Sequence, residues 1–201
     1  MYQKLNFLLY MVGLFILCFI VVSPNRALAT QYMGLKEAIK YFLPEGSKVS
    51  KVTKSIPKSK YKMIEKRFRL RSTEDFKETL PVGPYTVYIG RSASNKVNTY
   101  ILILEQYWRT CYHKYAIGIE LNGKIKEVIV VELNCRFATP INRKSFLKQF
   151  KGKKTPPGKP VPIKVGHDID AISGATVSSE VTAIVSRRAL ALFELFFGPG
   201  S

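Results

Sequence analysis

The stretch CYHKYAIGIELNGKIKEVIVVEL, residues 111–133, decides the fold. Cys111 to Leu121 and Lys124 to Leu133 are apolar runs rich in β-branched residues, separated by Asn122-Gly123. Asn-Gly is the favoured two-residue connection of a β-hairpin. In the second run Ile125, Glu127, Ile129 and Val131 share one parity, and Val128 and Val130 the other. Apolar residues on both parities predict a strand covered on much of both faces.

Upstream, Tyr85 to Ile89 and Asn98 to Gln106 read as a strand pair joined by a turn-rich stretch from Gly90 to Lys96. Further back, Leu35 to Leu43 is a short amphipathic helix stopped by Pro44. Residues 47–60 are rich in Lys and Ser and read as loop. Ser59 is placed to cap a second helix, Lys60 to Arg69, with Met63, Ile64 and Phe68 on its apolar side. Pro81, Gly83 and Pro84 punctuate the chain before the strands. Downstream, Phe146 to Phe150 suits a short helix, and the basic, Pro-rich Lys151 to Pro162 an extended loop. Val177, Val181, Ile184, Val185, Leu192 and Phe196 then recur at helical spacing. Helices, an antiparallel meander and a final helix make an α+β fold with one sheet packed by helices.

Three segments follow: residues 1–29, an N-terminal helical segment over 30–80, and the main domain over 81–201. The first is a targeting element. It has Lys4, a sixteen-residue apolar run from Phe7 to Val22, and Ala27-Leu28-Ala29 as a peptidase site. It is read as a signal peptide, with an uncleaved anchor as the alternative. Either way the body is exported, to the periplasm or the extracytoplasmic face of the membrane. Cys111 and Cys135 then sit where a disulfide is permitted, near the ends of adjacent strands; a bridge and two separate buried thiols both remain open.

The 201 residues carry a formal charge of +18, and 30 bases against 14 acids remain beyond residue 29. Such a field favours anionic partners, a membrane surface among them. No nucleic-acid-reading motif and no metal-ligand spacing is present, so nucleic acid and a metal site are not expected. An apolar content of 46% argues against disorder.

Between the Pro-rich loop and the last helix lies Asp168-Ile-Asp170-Ala-Ile-Ser173-Gly174-Ala175-Thr176-Val-Ser-Ser-Glu180. Ser173 to Thr176 falls at the helix entry, where unpaired N–H groups and partial positive charge favour a phosphate. Gly174 and Ala175 leave little bulk, and Thr176 offers a hydroxyl able to form a phosphoester. The plainer reading is a loop-to-helix entry in which Ser or Thr merely caps the helix.

Asp170-x-x-Ser173-Gly174-Ala175-Thr176 resembles the flavinylation motif of the FMN-binding domain family, found in flavin-bearing subunits of the sodium-pumping quinone reductase and of the Rnf complex. The resemblance implies that a flavin transferase esterifies FMN to Thr176, with Asp170, Ser173, Gly174 and Ala175 presented around it. It extends to Ile117 to Ile125 with Val128 to Val131, similar to the family's central hairpin. Phe146 to Lys153 is similar to its following helix, Tyr85 to Gly90 to its upstream strand, and Val177 to Ser179 with Arg187 to Leu192 to stand-alone exported members. Coverage runs from about Leu35 to Phe197. Asn134 to Ile141 departs from the pattern, lacking the acid and glycine that many relatives carry there.

The implied protein is a membrane-associated flavoprotein of electron transport. Covalent FMN takes electrons from a donor protein and passes them to an acceptor, with no catalytic residue of its own. The alternative is an exported basic binding module for anionic membranes or polymers, without covalent cofactor. A noncovalent flavin site in the same fold is a third reading. Asp168 and Asp170, two apart, are poorly placed as a catalytic pair. His113 and His167 read as structural or surface residues. Trp108, Tyr112, Tyr115 and Phe137 read as core first and as flavin-stacking groups second. Lys151, Lys153, Lys154 and Lys159 face a partner or solvent.

Overall fold

The Cys111–Leu133 hairpin forms around a loop different from the one its sequence suggests. A two-residue type I′ turn needs positive φ at both central positions, and of Asn122 and Gly123 only Gly123 has it, at 79°. Gly123 N donates to Glu120 O at 2.9 Å and Glu120 N to Lys124 O at 2.8 Å, so Leu121-Asn122-Gly123 forms the loop. Asn122 Oδ1 instead accepts from Lys124 N at 2.9 Å. The side chain prefers this local bond to a left-handed backbone.

The computed structural model describes residues 30–67, 83–109, 111–135, 138–157, 161 and 163–198. Residues 1–29, expected to be a targeting element, and Phe68, Pro81, Phe137, Lys159 and Pro162 lie outside them. Among the described residues six strands form one antiparallel sheet in the order β1-β6-β5-β4-β3-β2. They are β1 (Thr30–Gln31), β2 (Lys48–Lys54), β3 (Tyr85–Arg91), β4 (Val97–Trp108), β5 (Cys111–Ile119) and β6 (Ile125–Leu133). The helices are α1 (Leu35–Tyr41), α2 (Lys58–Arg67), α3 (Lys144–Leu147) and α4 (Thr176–Phe197), with 3-10 turns at Thr139–Asn142 and Lys148–Phe150. The architecture is α+β, as expected.

Expectations for this part of the chain are corrected. Residues 48–54 form a strand rather than loop, paired along its length with β3 from Lys48↔Arg91 to Lys54↔Tyr85. As the edge of the sheet it needs no apolar run, because backbone hydrogen bonds and the half-covered Val52 suffice. Its lysines also blunt the free edge against further pairing. Within the segment 30–80, expected to be helical, the described residues 30–67 therefore contribute two strands as well as two helices. The second helix starts at Lys58, and Lys60 N donates to Pro57 O at 2.9 Å. Ser59 thus sits inside the first turn rather than at the cap position. Ile64 is buried, but Met63 is 57% exposed rather than packed.

Both sheet faces are covered, as the mixed parity of β6 requires. On one face α4 lies over Leu102, Leu104, Tyr115, Ile117, Val128 and Val130. On the other, α1 sets Ala38 and Phe42 against Ile101, Ala116, Ile129 and Val131. Burying each such aliphatic side chain contributes about 1.5–3 kcal/mol. Gly118 makes the second layer possible, since a Cβ there would run into the Phe42 ring. Among the described residues no helix is long and apolar enough to cross a membrane.

Candidate functional site

The site is built at the start of α4. Ala175 N donates to Ile172 O at 2.9 Å, closing a turn in which Gly174 holds φ 77°. A β-turn with positive φ at its third position selects glycine. A Cβ on Gly174 would meet nothing within 4 Å, so backbone conformation, not crowding by this chain, demands it. Ala175 is then the N-cap residue and offers no side-chain hydrogen bond to the helix. The plainer reading of this entry, a capping Ser or Thr, does not hold. The first N–H groups of a 22-residue helix keep their partial positive charge, with no acidic residue in the first turn. Thr176, the first helical residue, is exposed, as are Asp170, Ser173 and Gly174, while Ala175 is buried.

The loop before the helix is held from behind. Asp170 N donates to Gln149 Oε1 at 2.8 Å, and Gln149 Nε2 donates to Asp170 O at 3.3 Å. The Gln149 amide thus pairs with the Asp170 backbone as a neighbouring strand would. Lys164 O receives the N–H groups of His167, Asp168 and Ile169, and Lys153 Nζ donates to Asp168 O at 3.4 Å. Ser179 Oγ accepts from Ile172 N at 3.2 Å and donates to Ala175 O at 3.0 Å, tying loop to helix. The two aspartates have separate surroundings. Asp168 Oδ1 lies 3.2 Å from the exposed His167 Nδ1, and the Asp170 side chain faces solvent.

Beneath Thr176 the helix meets the sheet through polar groups. Ser178 Oγ lies 3.1 Å from His113 Nε2, and Tyr115 Oη lies 2.8 Å from Thr182 Oγ1. Thr182 Oγ1 donates to Ser178 O and Ser186 Oγ to Thr182 O, each at 2.8 Å, which leaves Tyr115 as the donor to Thr182. Burial lowers the His113 pKa to about 4, despite a backbone hydrogen bond at Gln106 that favours its charged form. Burial likewise raises the Tyr115 pKa. Further along, Arg187 Nη1 donates to Ile163 O at 2.7 Å and Arg188 Nη2 to Gln106 Oε1 at 2.8 Å. Burial also raises the Glu180 pKa, against the opposing fields of Arg187 and Lys164.

Of the aromatic candidates, Tyr115 is wholly core and Trp108 packs partly against it. Tyr112 stands with Tyr107, their ring centroids 4.9 Å apart. Cys111 and Cys135 form a disulfide, with Cα atoms 5.0 Å apart. Among the described residues no three His, Cys, Asp or Glu side chains gather as a metal site. The sequence reading passed over Gln149 and the stripe Ser178, Thr182, Ser186. The stripe's i, i+4 spacing was a usable signal, whereas nothing local ties Gln149 to Asp170.

The residues suit a phosphate-linked cofactor: an exposed hydroxyl, an uncapped helix start and a loop fixed by its backbone. Residues 107–191 match the family model described as the FMN-binding domain. The fold is similar to that of NqrC from Shewanella oneidensis in its crystal structure, with a TM-score of 0.54 and 16% identity, over 76% of this chain and 83% of that one. At that identity the likeness is one of fold. Comparison with curated proteins returned no match.

Proposed function

We propose that this chain, whose residues 107–191 match the FMN-binding domain family, is an exported electron-transfer protein holding FMN through a phosphoester on Thr176. The observation that carries the reading is the Asp170–Thr176 motif ending on an exposed hydroxyl at the uncapped start of α4. Thr176 Oγ1 would lose its proton and take the FMN phosphoryl group from FAD on a flavin transferase, with AMP leaving. The helix-start N–H groups would then face the phosphate. Ser173 and Gly174 shape the turn, Gln149 fixes the Asp170 backbone, and exposed Asp170 is free to meet the transferase. Bound FMN supplies the redox chemistry, accepting electrons in pairs and releasing them singly. The chain supplies attachment and position. Donor and acceptor are proteins in this reading.

Co-expression with a flavin transferase tests it. Intact mass should show one FMN per chain, and the yellow colour should survive denaturation. Thr176→Ala should abolish the adduct while leaving thermal stability within about 0.5 kcal/mol, as expected of an exposed side chain. Covalent flavin retained by that variant overturns the assignment, and colour released on denaturation points to noncovalent binding.

A second reading, docking on an anionic membrane, is supported by the exposed lysines of two consecutive elements. Lys48, Lys51 and Lys54 of β2 and Lys58, Lys62 and Lys66 of α2 are exposed together with Met63. It is compatible with the first. Sedimentation with vesicles containing anionic lipid should fall steeply as salt rises, and charge reversal at Lys58, Lys62 and Lys66 should weaken it. Binding indifferent to salt counts against it.

A further inference from the structure

Three features meet at one end of the sheet. The first is the start of α4. Ser178 Oγ lies 3.1 Å from His113 Nε2, and Thr182 Oγ1 lies 2.8 Å from Tyr115 Oη. Four helical residues and two strand residues each advance about 6 Å, so α4 runs along β5 in the same direction. Its first turn therefore points back toward Cys111 and the tip of the β4–β5 hairpin, where Trp108 pairs with Cys111. That tip is the second feature. The third is the entry of the chain. Thr30 pairs with Leu133 and Leu133 with His113, both antiparallel, so β1 advances with β5 and is entered from the same end. Thr30 stands two strands from β5, roughly 10 Å across the sheet.

The tip is aromatic and basic. Tyr107 is 63% exposed, with its ring 4.9 Å from that of Tyr112. Alternate residues of a strand face opposite ways, so Trp108 puts its ring on the other side of the ribbon. There the exposed Arg109 stacks on the half-buried indole, its guanidinium 4.8 Å from the ring centroid. Residues 107–112 contain no acid. Tyrosine and tryptophan favour the boundary between water and hydrocarbon, because an apolar ring carries a polar tip. Arginine pairs its planar fork with phosphate. Residues 1–29, with the apolar run Phe7 to Val22, join the fold at Thr30. With that run in a bilayer, Thr30 and the tip beside it are brought to the lipid surface.

Resting on the export reading, we propose that the hairpin tip is a membrane-interface anchor. Tyr107, Trp108 and Tyr112 lie at the headgroup level of the bilayer, Arg109 pairs with lipid phosphate, and the first turn of α4 is held toward that surface. Where the run is cleaved off, the tip acts alone. The lysines of β2 and α2 act by charge, which salt screens. Ring insertion persists in salt and needs no anionic lipid.

Trp108 is the one tryptophan of the chain, so its emission reports the tip directly. The full chain is expressed without a flavin transferase, so that no flavin absorbs the emission, and reconstituted with phosphatidylcholine vesicles. The salt is about 1 M, where the Debye length is about 3 Å. Trp108 emission should shift to the blue relative to the lipid-free chain. Lipid brominated near the headgroup should quench it more than lipid brominated deep in the acyl chains. Tyr107→Ser/Arg109→Glu, checked for an unchanged denaturant midpoint, should lose most of the shift and of the quenching. Emission that neither kind of brominated lipid quenches overturns the proposal, as does quenching that the folded variant retains in full. The export reading is checked separately, by fractionating the cells that make the chain. Protein confined to the cytoplasm with residues 1–29 intact by mass sinks that reading, whatever the vesicles report of the tip.

Discussion

The two halves of α4 dock on the same sheet by different physics. The first half meets β5 through directional hydrogen bonds: Ser178 to His113, and Tyr115 to Thr182. The last turns meet β3 and β4 through rings. Tyr100 lies 5.3 Å from Phe193 and 4.4 Å from Phe197, and Tyr85 lies 6.3 Å from Phe196. Lys54 Nζ closes that end, donating to Phe196 O at 3.0 Å over the Phe197 ring. Aromatic burial contributes much energy and tolerates small shifts, whereas hydrogen bonds contribute little net energy and fix register. The half from which the proposed attachment residue Thr176 projects is the half that adds such hydrogen bonds to its buried Val181, Ala183 and Val185.

The sharpest way to break this contrast is Phe196→Ala at the apolar end. Removing a buried ring should cost about 3–5 kcal/mol, read as a lower denaturant midpoint. The protein that remains folded should still accept FMN on Thr176. Loss of flavinylation in folded Phe196→Ala would show that the two halves are not separable.

Next comes the polar end and its response to acid. His113 is held neutral with a pKa near 4, below the ordinary 6.5. The unfolded chain therefore binds a proton that the folded chain refuses as pH falls between those values. The stability associated with neutral His113 is present above about pH 6.5 and is lost as pH falls toward 4, on the order of 3 kcal/mol in all. Denaturant midpoints at neutral pH and near pH 4 measure it, and His113→Gln should flatten that part of the difference. An unchanged pH profile in the variant would remove His113 as the cause. Tyr115, stacked at 6.3 Å, and the Cys135 sulfur are the other groups facing the ring. Neither titrates in that range.

The smallest effect is expected at Gln149, behind the attachment loop. Gln149→Leu removes both hydrogen bonds to Asp170 at an exposed site, so the melting temperature should barely move. Freeing the loop should cost the transferase reaction about 1 kcal/mol of ordering, roughly a fivefold slower modification. A normal rate would mean that the transferase itself orders the loop.

Much of this was legible in the chain. The α+β class, four of the six strands, the hairpin ladder and the last helix followed from runs of β-branched residues and helical periodicity. Those patterns record burial on a local scale. The turn into α4 was legible because it is local too: a left-handed glycine, a small residue and a hydroxyl in succession. Residues 48–54 were misread because an edge strand draws its stability from backbone pairing with β3, which leaves little mark on side chains. The Asn-Gly loop was misread because Asn122 can satisfy its polar group in more than one turn.

Sequence alone settled the four central strands, the last helix and the position of the hydroxyl at its entry, since these depend on neighbours a few residues away. Only the folded chain brought Gln149 to Asp170, His113 to Ser178, and Cys135 to His113. Those pairs are separated by 21, 65 and 22 residues. Contacts at such separation depend on how the sheet and helix pack, and no local pattern encodes them.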